Sequence, residues 1–133
     1  MRRLGVMLIA GGIYHFVFGV FHSMFWRFKF LNWREELPHM LASNLAVIQM
    51  LNIAVIVFML LVAYISLRYS KELPTTSLGR DLLLGVLVFW VARLGGEFIL
   101  KEGMPPKPGI VIACVVGILL YLVPLMIYMN GNG

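Results

Sequence analysis

The stretch LASNLAVIQMLNIAVIVFMLLVAYISL, residues 41–67, decides the fold, because it contains no charged side chain. About 20 helical residues, each rising about 1.5 Å, cross the roughly 30 Å hydrocarbon core of a bilayer. Apolar and polar residues do not alternate here, as they would in a transmembrane strand. In lipid a helix satisfies its own backbone hydrogen bonds. The stretch therefore predicts a membrane-spanning helix.

Three further apolar runs of similar length occupy residues 4–26, 82–100 and 110–129. Of the 133 residues, 61% are hydrophobic and 13% are charged, whereas soluble domains carry about 25% charged residues. We therefore expect an all-α integral membrane protein whose four transmembrane helices form an up-down bundle. Residues 1–133 would make a single domain, with both termini on the same side of the membrane.

The first apolar run follows the residues MRR, which gives the N-terminus some likeness to a signal peptide. The run is too long for that, and no small-residue cleavage site precedes the aromatic residues, so we interpret it as a retained helix. Lys and Arg are equally frequent on the two sides, so the positive-inside rule discriminates weakly. Arg2 and Arg3 favour cytoplasmic termini.

The net charge of +5 does not indicate a nucleic-acid partner. The basic residues are scattered over loops and form no stripe or recognition motif. Beside membrane spans, Lys and Arg more often contact lipid headgroups. The expected surroundings are therefore the lipid bilayer, with no nucleic acid.

Polar residues inside the spans are unevenly distributed in depth. We call the side opposite the termini the outer face. The polar residues placed towards it are His15, His22, Asn44, Gln49, Asn52, Arg93 and Glu97. The inner half is apolar except for Tyr64 and Ser66. A transmembrane path needs polar lining throughout, so this pattern predicts a blind polar pocket that opens towards the outer face.

Helical spacing indicates which residues share a surface. Spacings of three, four and three place four residues on one face of the first span, namely Gly12, His15, Gly19 and His22. Glycine allows helices to approach closely in lipid, so this face should contact protein. Arg93 and Glu97 are four residues apart and can pair along the third span.

The connections give weaker signals. The residues EELPHM, 35–40, suggest the start of the second span, because Pro38 is tolerated in a first helical turn. Thr75, Thr76 and Ser77 are candidate N-caps for the third span. The single cysteine, Cys114, lies in the fourth span, where a thiol usually packs as a small hydrophobe.

Three functions fit the polar residues. The first is binding of a small amphiphilic ligand, such as a lipid, or a cofactor, with haem or quinone possible. The second is an enzyme acting on a lipophilic substrate, with His22 or Glu97 as the acid–base group. The third is a structural subunit of a membrane complex, in which the polar groups hold helices together. The small extramembrane mass favours a homo-oligomer or a partner in a larger complex.

The sequence gives only weak support for a metal site. Transition metals usually take three or four convergent His, Cys or carboxylate ligands. His22 and His39 are the candidate metal ligands, with Glu97 as a possible third. The same two histidines could ligate haem if they faced each other. The chain lacks a short metal-binding motif such as HExxH, so the pattern does not favour this site.

Overall fold

The computed structural model describes residues 2–27, 33–100 and 105–131. Its helices are α1 (Arg2–Ser23), α2 (Trp33–Glu36), α3 (Ala42–Arg68), α4 (Ser77–Ile99) and α5 (Pro108–Gly131). Within the described ranges, all except the short α2 are long and apolar enough to cross a membrane. The predicted all-α class with four transmembrane helices is confirmed, and the protein is a multi-pass membrane protein. The side on which the termini lie stays a prediction.

Neighbouring long helices run in opposite directions. Gly12 of α1 lies against Leu67, near the end of α3, whereas His22 bonds to Asn52, nearer its start. Helix α5 packs on both α1 and α4. The Tyr14 hydroxyl of α1 donates to a carbonyl of α5 over 2.6 Å. The result is the predicted up-down bundle, with the start of α1 and the end of α5 at the same end.

Two predicted boundaries move by several residues. Helix α1 ends at Ser23 rather than at residue 26. Residues 24–27 form turns instead, in which a backbone N–H donates to the carbonyl three residues earlier. Helix α4 begins at Ser77 rather than at residue 82. Thr76 is its N-cap, since its hydroxyl oxygen accepts the Gly79 N–H over 3.1 Å, which satisfies a donor that the helix leaves unpaired.

The prediction that the second span starts within EELPHM is wrong. That segment contributes to α2 and to a 3₁₀ turn at Leu37–His39. Leu41 is then extended, with ψ of 138°, and α3 begins at Ala42. Leu41 therefore separates the turn that contains Pro38 from the spanning helix.

The core draws buried side chains from all four long helices. Leu8, Met59, Trp90 and Tyr121 belong to one cluster with Leu83, Val86 and Cys114. Glycine makes room for its two largest rings: a Cβ atom on Gly117 would lie 2.5 Å from the Trp90 indole, and one on Gly11 would lie 3.0 Å from the Tyr121 ring. These rings can therefore lie close to helix backbones.

The predicted glycine face of α1 does contact protein. A Cβ atom on Gly12 would overlap Leu67 of α3, and one on Gly19 would overlap Leu60 of the same helix. The close approach of α1 and α3 thus follows the spacing predicted from the sequence, and it carries His15 and His22 into the bundle.

Candidate functional site

A buried hydrogen-bonded cluster, which we call the clamp, takes one residue from each long helix. Its members are His15 of α1, Ser66 of α3, Trp90 of α4 and Tyr121 of α5. His15 has no exposed surface, and each of the other three is no more than 2% exposed. Polar groups in such a setting need partners, because an unsatisfied one costs about 1–3 kcal/mol.

The partners of His15 determine its tautomer. The indole N–H of Trp90 donates to His15 Nε2 over 3.1 Å, so Nε2 carries a lone pair. The proton of the neutral ring is therefore on Nδ1, which donates to the Gly11 carbonyl over 2.9 Å. The Tyr121 hydroxyl lies 3.1 Å from the same nitrogen. Both ring nitrogens are thus engaged within the protein.

The clamp also corrects the expected depth of the polar zone. The Tyr121 hydroxyl lies 2.9 Å from the Ser66 hydroxyl, and Ser66 is two residues from the inner end of α3. The buried hydrogen bonds therefore continue from His15 into the inner half. Ser66 was one of the two polar residues expected in the otherwise apolar inner half, but its partner Tyr121 on α5 was not among the polar groups predicted there.

An unfilled space, the outer cavity, lies towards the outer face and has a volume of about 310 Å³. All four long helices contribute to its walls, which are mostly aromatic and aliphatic. The lining residues are Phe18, Phe21, His22, Val55, Met59, Phe89, Trp90, Arg93, Gly109, Ile110, Ala113 and Cys114. His22 and Arg93, both predicted from the sequence, thus meet at one cavity.

His22 is oriented by Asn52 of α3. Its Nδ1 lies 3.0 Å from the Asn52 side-chain oxygen, and the Asn52 amide donates back to the His22 carbonyl over 3.1 Å. Nδ1 must carry a proton to donate to that oxygen, so Nε2 of the neutral ring is an acceptor. The ring also stacks on Phe25 at a centroid distance of 4.4 Å. His22 therefore borders the outer cavity in a fixed orientation.

Arg93 and Glu97 pair along α4 as the spacing predicted. The Arg93 guanidinium lies 3.4 Å from Glu97 Oε2, and the two side chains are 45% and 1% exposed. Glu97 Oε1 accepts the backbone N–H of Lys107 over 2.8 Å. The Lys107 carbonyl accepts the first helical bonds of α5, so the carboxylate lies at a helix N-terminus, where negative charge is favoured. Glu97 thus ties α4 to the start of α5.

The other predicted site residues lie elsewhere. Asn44 is exposed on α3, Gln49 is partly buried there, and His39 is exposed in the 3₁₀ turn. His15 lies in the clamp and Asn52 acts through His22. Within residues 2–27, 33–100 and 105–131, no three His, Cys, Asp or Glu residues converge as metal ligands.

A second space of about 520 Å³ lies at the inner end of the bundle. It is lined by the first turns of α1 and by the segment after α3, including Lys71 and Ser70. Among the described residues, only these two segments line it. The outer cavity is the better candidate, because all four long helices line it and it combines a basic, an imidazole and several aromatic groups.

Sequence reasoning missed the partners of His15 and most of the cavity wall. Trp90 and Tyr121 are 75 and 106 residues away from His15 in the chain. A partial signal existed, since a buried Trp N–H or Tyr O–H usually needs a partner, but spacing within one helix does not say which neighbour supplies it. No protein family, curated protein or solved structure matches this chain.

Proposed function

We propose that the protein binds a small amphiphilic molecule in the outer cavity. The observation that supports this function is the meeting of His22 and Arg93 at an otherwise apolar space that none of the described side chains fills. Ligand sites in proteins are typically apolar concavities with a few oriented polar groups. The polar end of the ligand would meet His22 and Arg93, and its apolar body would lie among the aromatic and aliphatic walls.

The volume limits the size of the ligand. Ligand sites commonly span about 300–1,000 Å³, and the outer cavity, at about 310 Å³, is at the lower end. It suits the head and part of the tail of a small lipophile better than a whole phospholipid. A bound haem or quinone would be detected by the same experiment as a lipid.

The proposed role also includes assembly. The connections between the spans comprise residues 24–41, 69–76 and 100–107, so most of these 133 residues lie in the four spans. The outward surfaces of the bundle are rich in exposed apolar side chains, including Val47, Met50 and Val57 on α3. A homo-oligomer or a larger membrane complex would cover part of this surface, and lipid would cover the rest.

The test is to identify what co-purifies with the protein in a mild detergent, by mass spectrometry of small molecules and proteins together. A Cβ atom on Gly109, which lines the outer cavity, meets nothing within 4 Å. Gly109→Leu should therefore add bulk at the wall of the cavity, and its Cβ atom meets no clash. Gly85 is equally open but does not line the outer cavity, so Gly85→Leu is the matched control.

We expect a small molecule in a fixed ratio to the protein, lost in Gly109→Leu and kept in Gly85→Leu. A Soret absorption band would identify it as haem. The proposal is overturned if both variants retain the same molecules as the original chain. A fixed protein partner without any cavity-dependent small molecule would favour the structural subunit instead.

A further inference from the structure

We propose that the ligand of the outer cavity is a neutral amphiphile whose flat ring head carries a hydroxyl group, as in phenols and hydroquinones. This inference rests on the proposed function and narrows the chemical class of its ligand. Three features carry it: the charge balance of the site, the hydrogen-bonding capacity of His22 and Arg93, and the aromatic walls.

Among the residues that the structure describes, the charged groups beside the outer cavity include an ion pair. Arg93 contributes one positive charge, and Glu97, whose side chain is 1% exposed, contributes one negative charge 3.4 Å away. The Lys107 side chain is exposed, where headgroups or water can solvate it. A carboxylate or phosphate head would leave an uncompensated charge in a poorly solvated place, which is unfavourable. A neutral head avoids this cost.

The polar groups at the cavity offer one acceptor and several donors. The bond to Asn52 holds the His22 proton on Nδ1, so Nε2 can accept a hydrogen bond from a ligand hydroxyl. One Arg93 nitrogen engages Glu97, and a guanidinium has five N–H donors, so others can donate to a ligand oxygen. A hydroxyl group is both donor and acceptor, and it suits this pair. A ketone or quinone oxygen could use only Arg93.

The cavity wall includes the aromatic rings of Phe18, Phe21, Phe89 and Trp90. Phe18 and Phe89 meet the Trp90 ring edge-on, with centroid distances of 5.6 and 5.4 Å. The Trp90 N–H is already bonded to His15, so the indole offers the cavity only apolar ring surface. Aromatic pairs gain about 0.5–1.5 kcal/mol beyond the burial of their area. The walls therefore favour a ring over a purely aliphatic head.

The experiment compares four probes that each contain a ten-carbon chain, each added to the protein in nanodiscs. The probe 4-decylphenol has all the proposed features, decylbenzene lacks the hydroxyl, 1-decanol lacks the ring, and decanoate lacks the ring and is charged. Gel filtration removes the probe in water, and mass spectrometry measures the amount retained per chain after the amount retained by nanodiscs without the protein is subtracted. We expect 4-decylphenol to be retained at least fivefold more than each of the others, and this excess to be lost in Gly109→Leu but kept in Gly85→Leu.

A further variant tests the hydrogen bond. His22→Ala should lower the retention of 4-decylphenol to that of decylbenzene and leave decylbenzene unchanged. A general loosening of the bundle would instead change the retention of both probes.

The outcomes separate the two proposals. If 1-decanol or decanoate is retained as well as 4-decylphenol, and Gly109→Leu reduces them all, the ring-head proposal is overturned and amphiphile binding stands. If decylbenzene matches 4-decylphenol in the same way, the hydroxyl requirement is overturned. If the Gly109→Leu variant retains as much of every probe as the original chain does, both the proposed binding in the outer cavity and the proposed ligand class are overturned.

Discussion

Two histidines on the same face of α1, seven residues apart, have opposite surroundings. His15 is completely buried, and both of its ring nitrogens are bonded inside the clamp. His22 is only partly buried, its described hydrogen bonds use Nδ1 and the backbone carbonyl, and its ring borders the outer cavity. The same residue type thus holds the bundle together at one level and faces an unfilled space at the next.

The role of a histidine in a membrane span can therefore be inferred only when its neighbours are known. A buried network with every member satisfied rigidifies a bundle and offers nothing to a ligand. A histidine that lines a cavity, with one ring nitrogen oriented by a bond to the protein, can bind a ligand. Stability should therefore depend mainly on the clamp, and ligand selectivity mainly on the outer cavity.

The largest effect is expected for His15→Ala. The substitution removes the acceptor of the Trp90 N–H and a partner of Tyr121, and it leaves a buried void. An unsatisfied buried donor costs about 1–3 kcal/mol, and the void adds to this cost. We expect the free energy of unfolding, measured in mixed micelles with a denaturing detergent, to fall by about 3–5 kcal/mol.

His22→Ala is the matched comparison for that variant. Because His22 is partly buried beside a cavity, the same measurement should show a loss of about 1 kcal/mol. Equal losses for the two alanine variants would contradict the division between clamp and cavity.

A pair of glycine substitutions on α5 probes the two regions with the same added methyl group. In Gly117→Ala the Cβ atom would lie 2.5 Å from the Trp90 ring, so the clamp must shift. Overpacking of this kind typically costs about 1–3 kcal/mol. In Gly109→Ala the methyl group meets nothing within 4 Å, and the higher helix propensity of alanine should make stability equal or slightly greater. The same unfolding assay checks both variants. A loss of stability in Gly109→Ala would show that other side chains pack closely against Gly109.

Glu97→Gln tests the charge balance at the outer cavity. Glutamine can still accept the Lys107 N–H, but the positive charge of Arg93 is no longer compensated. We expect retention of decanoate in nanodiscs to rise about fivefold, equivalent to about 1 kcal/mol. Retention of 1-decanol should not change. Unchanged decanoate retention would mean that the Arg93–Glu97 pair does not control ligand charge.

The smallest effect concerns the link between two hydroxyl groups in the clamp. A double-mutant cycle of Tyr121→Phe and Ser66→Ala should give a coupling of about 0.6 kcal/mol, the average for hydrogen bonds between membrane helices. Tyr128 is on the same helix and contacts Arg80 by its ring, so Tyr128→Phe with Ser66→Ala should be additive. Non-additivity in the control pair would assign the coupling to a general change in the bundle.

The amino-acid sequence by itself determined the class of protein, the number of spans and the helix faces. Hydrophobicity over 20 or so residues and spacings of three or four are local properties of the chain. An apolar segment of this length forms a helix in a bilayer, because its backbone must satisfy its own hydrogen bonds there. The contact of Gly12 and Gly19 with α3 and the pairing of Arg93 with Glu97 followed from such spacings. Thr76, the N-cap of α4, was one of three candidates that the sequence offered.

Only the tertiary structure decided that His15 belongs to the clamp and His22 to the outer cavity. That outcome depends on how each helix is rotated about its axis, because rotation decides which side chains from distant parts of the chain meet. Trp90 and Tyr121 reach His15 across 75 and 106 residues of sequence, while the aromatic residues near His22 leave a space unfilled. Periodicity along one helix defines a face, but it does not specify the partner that this face meets.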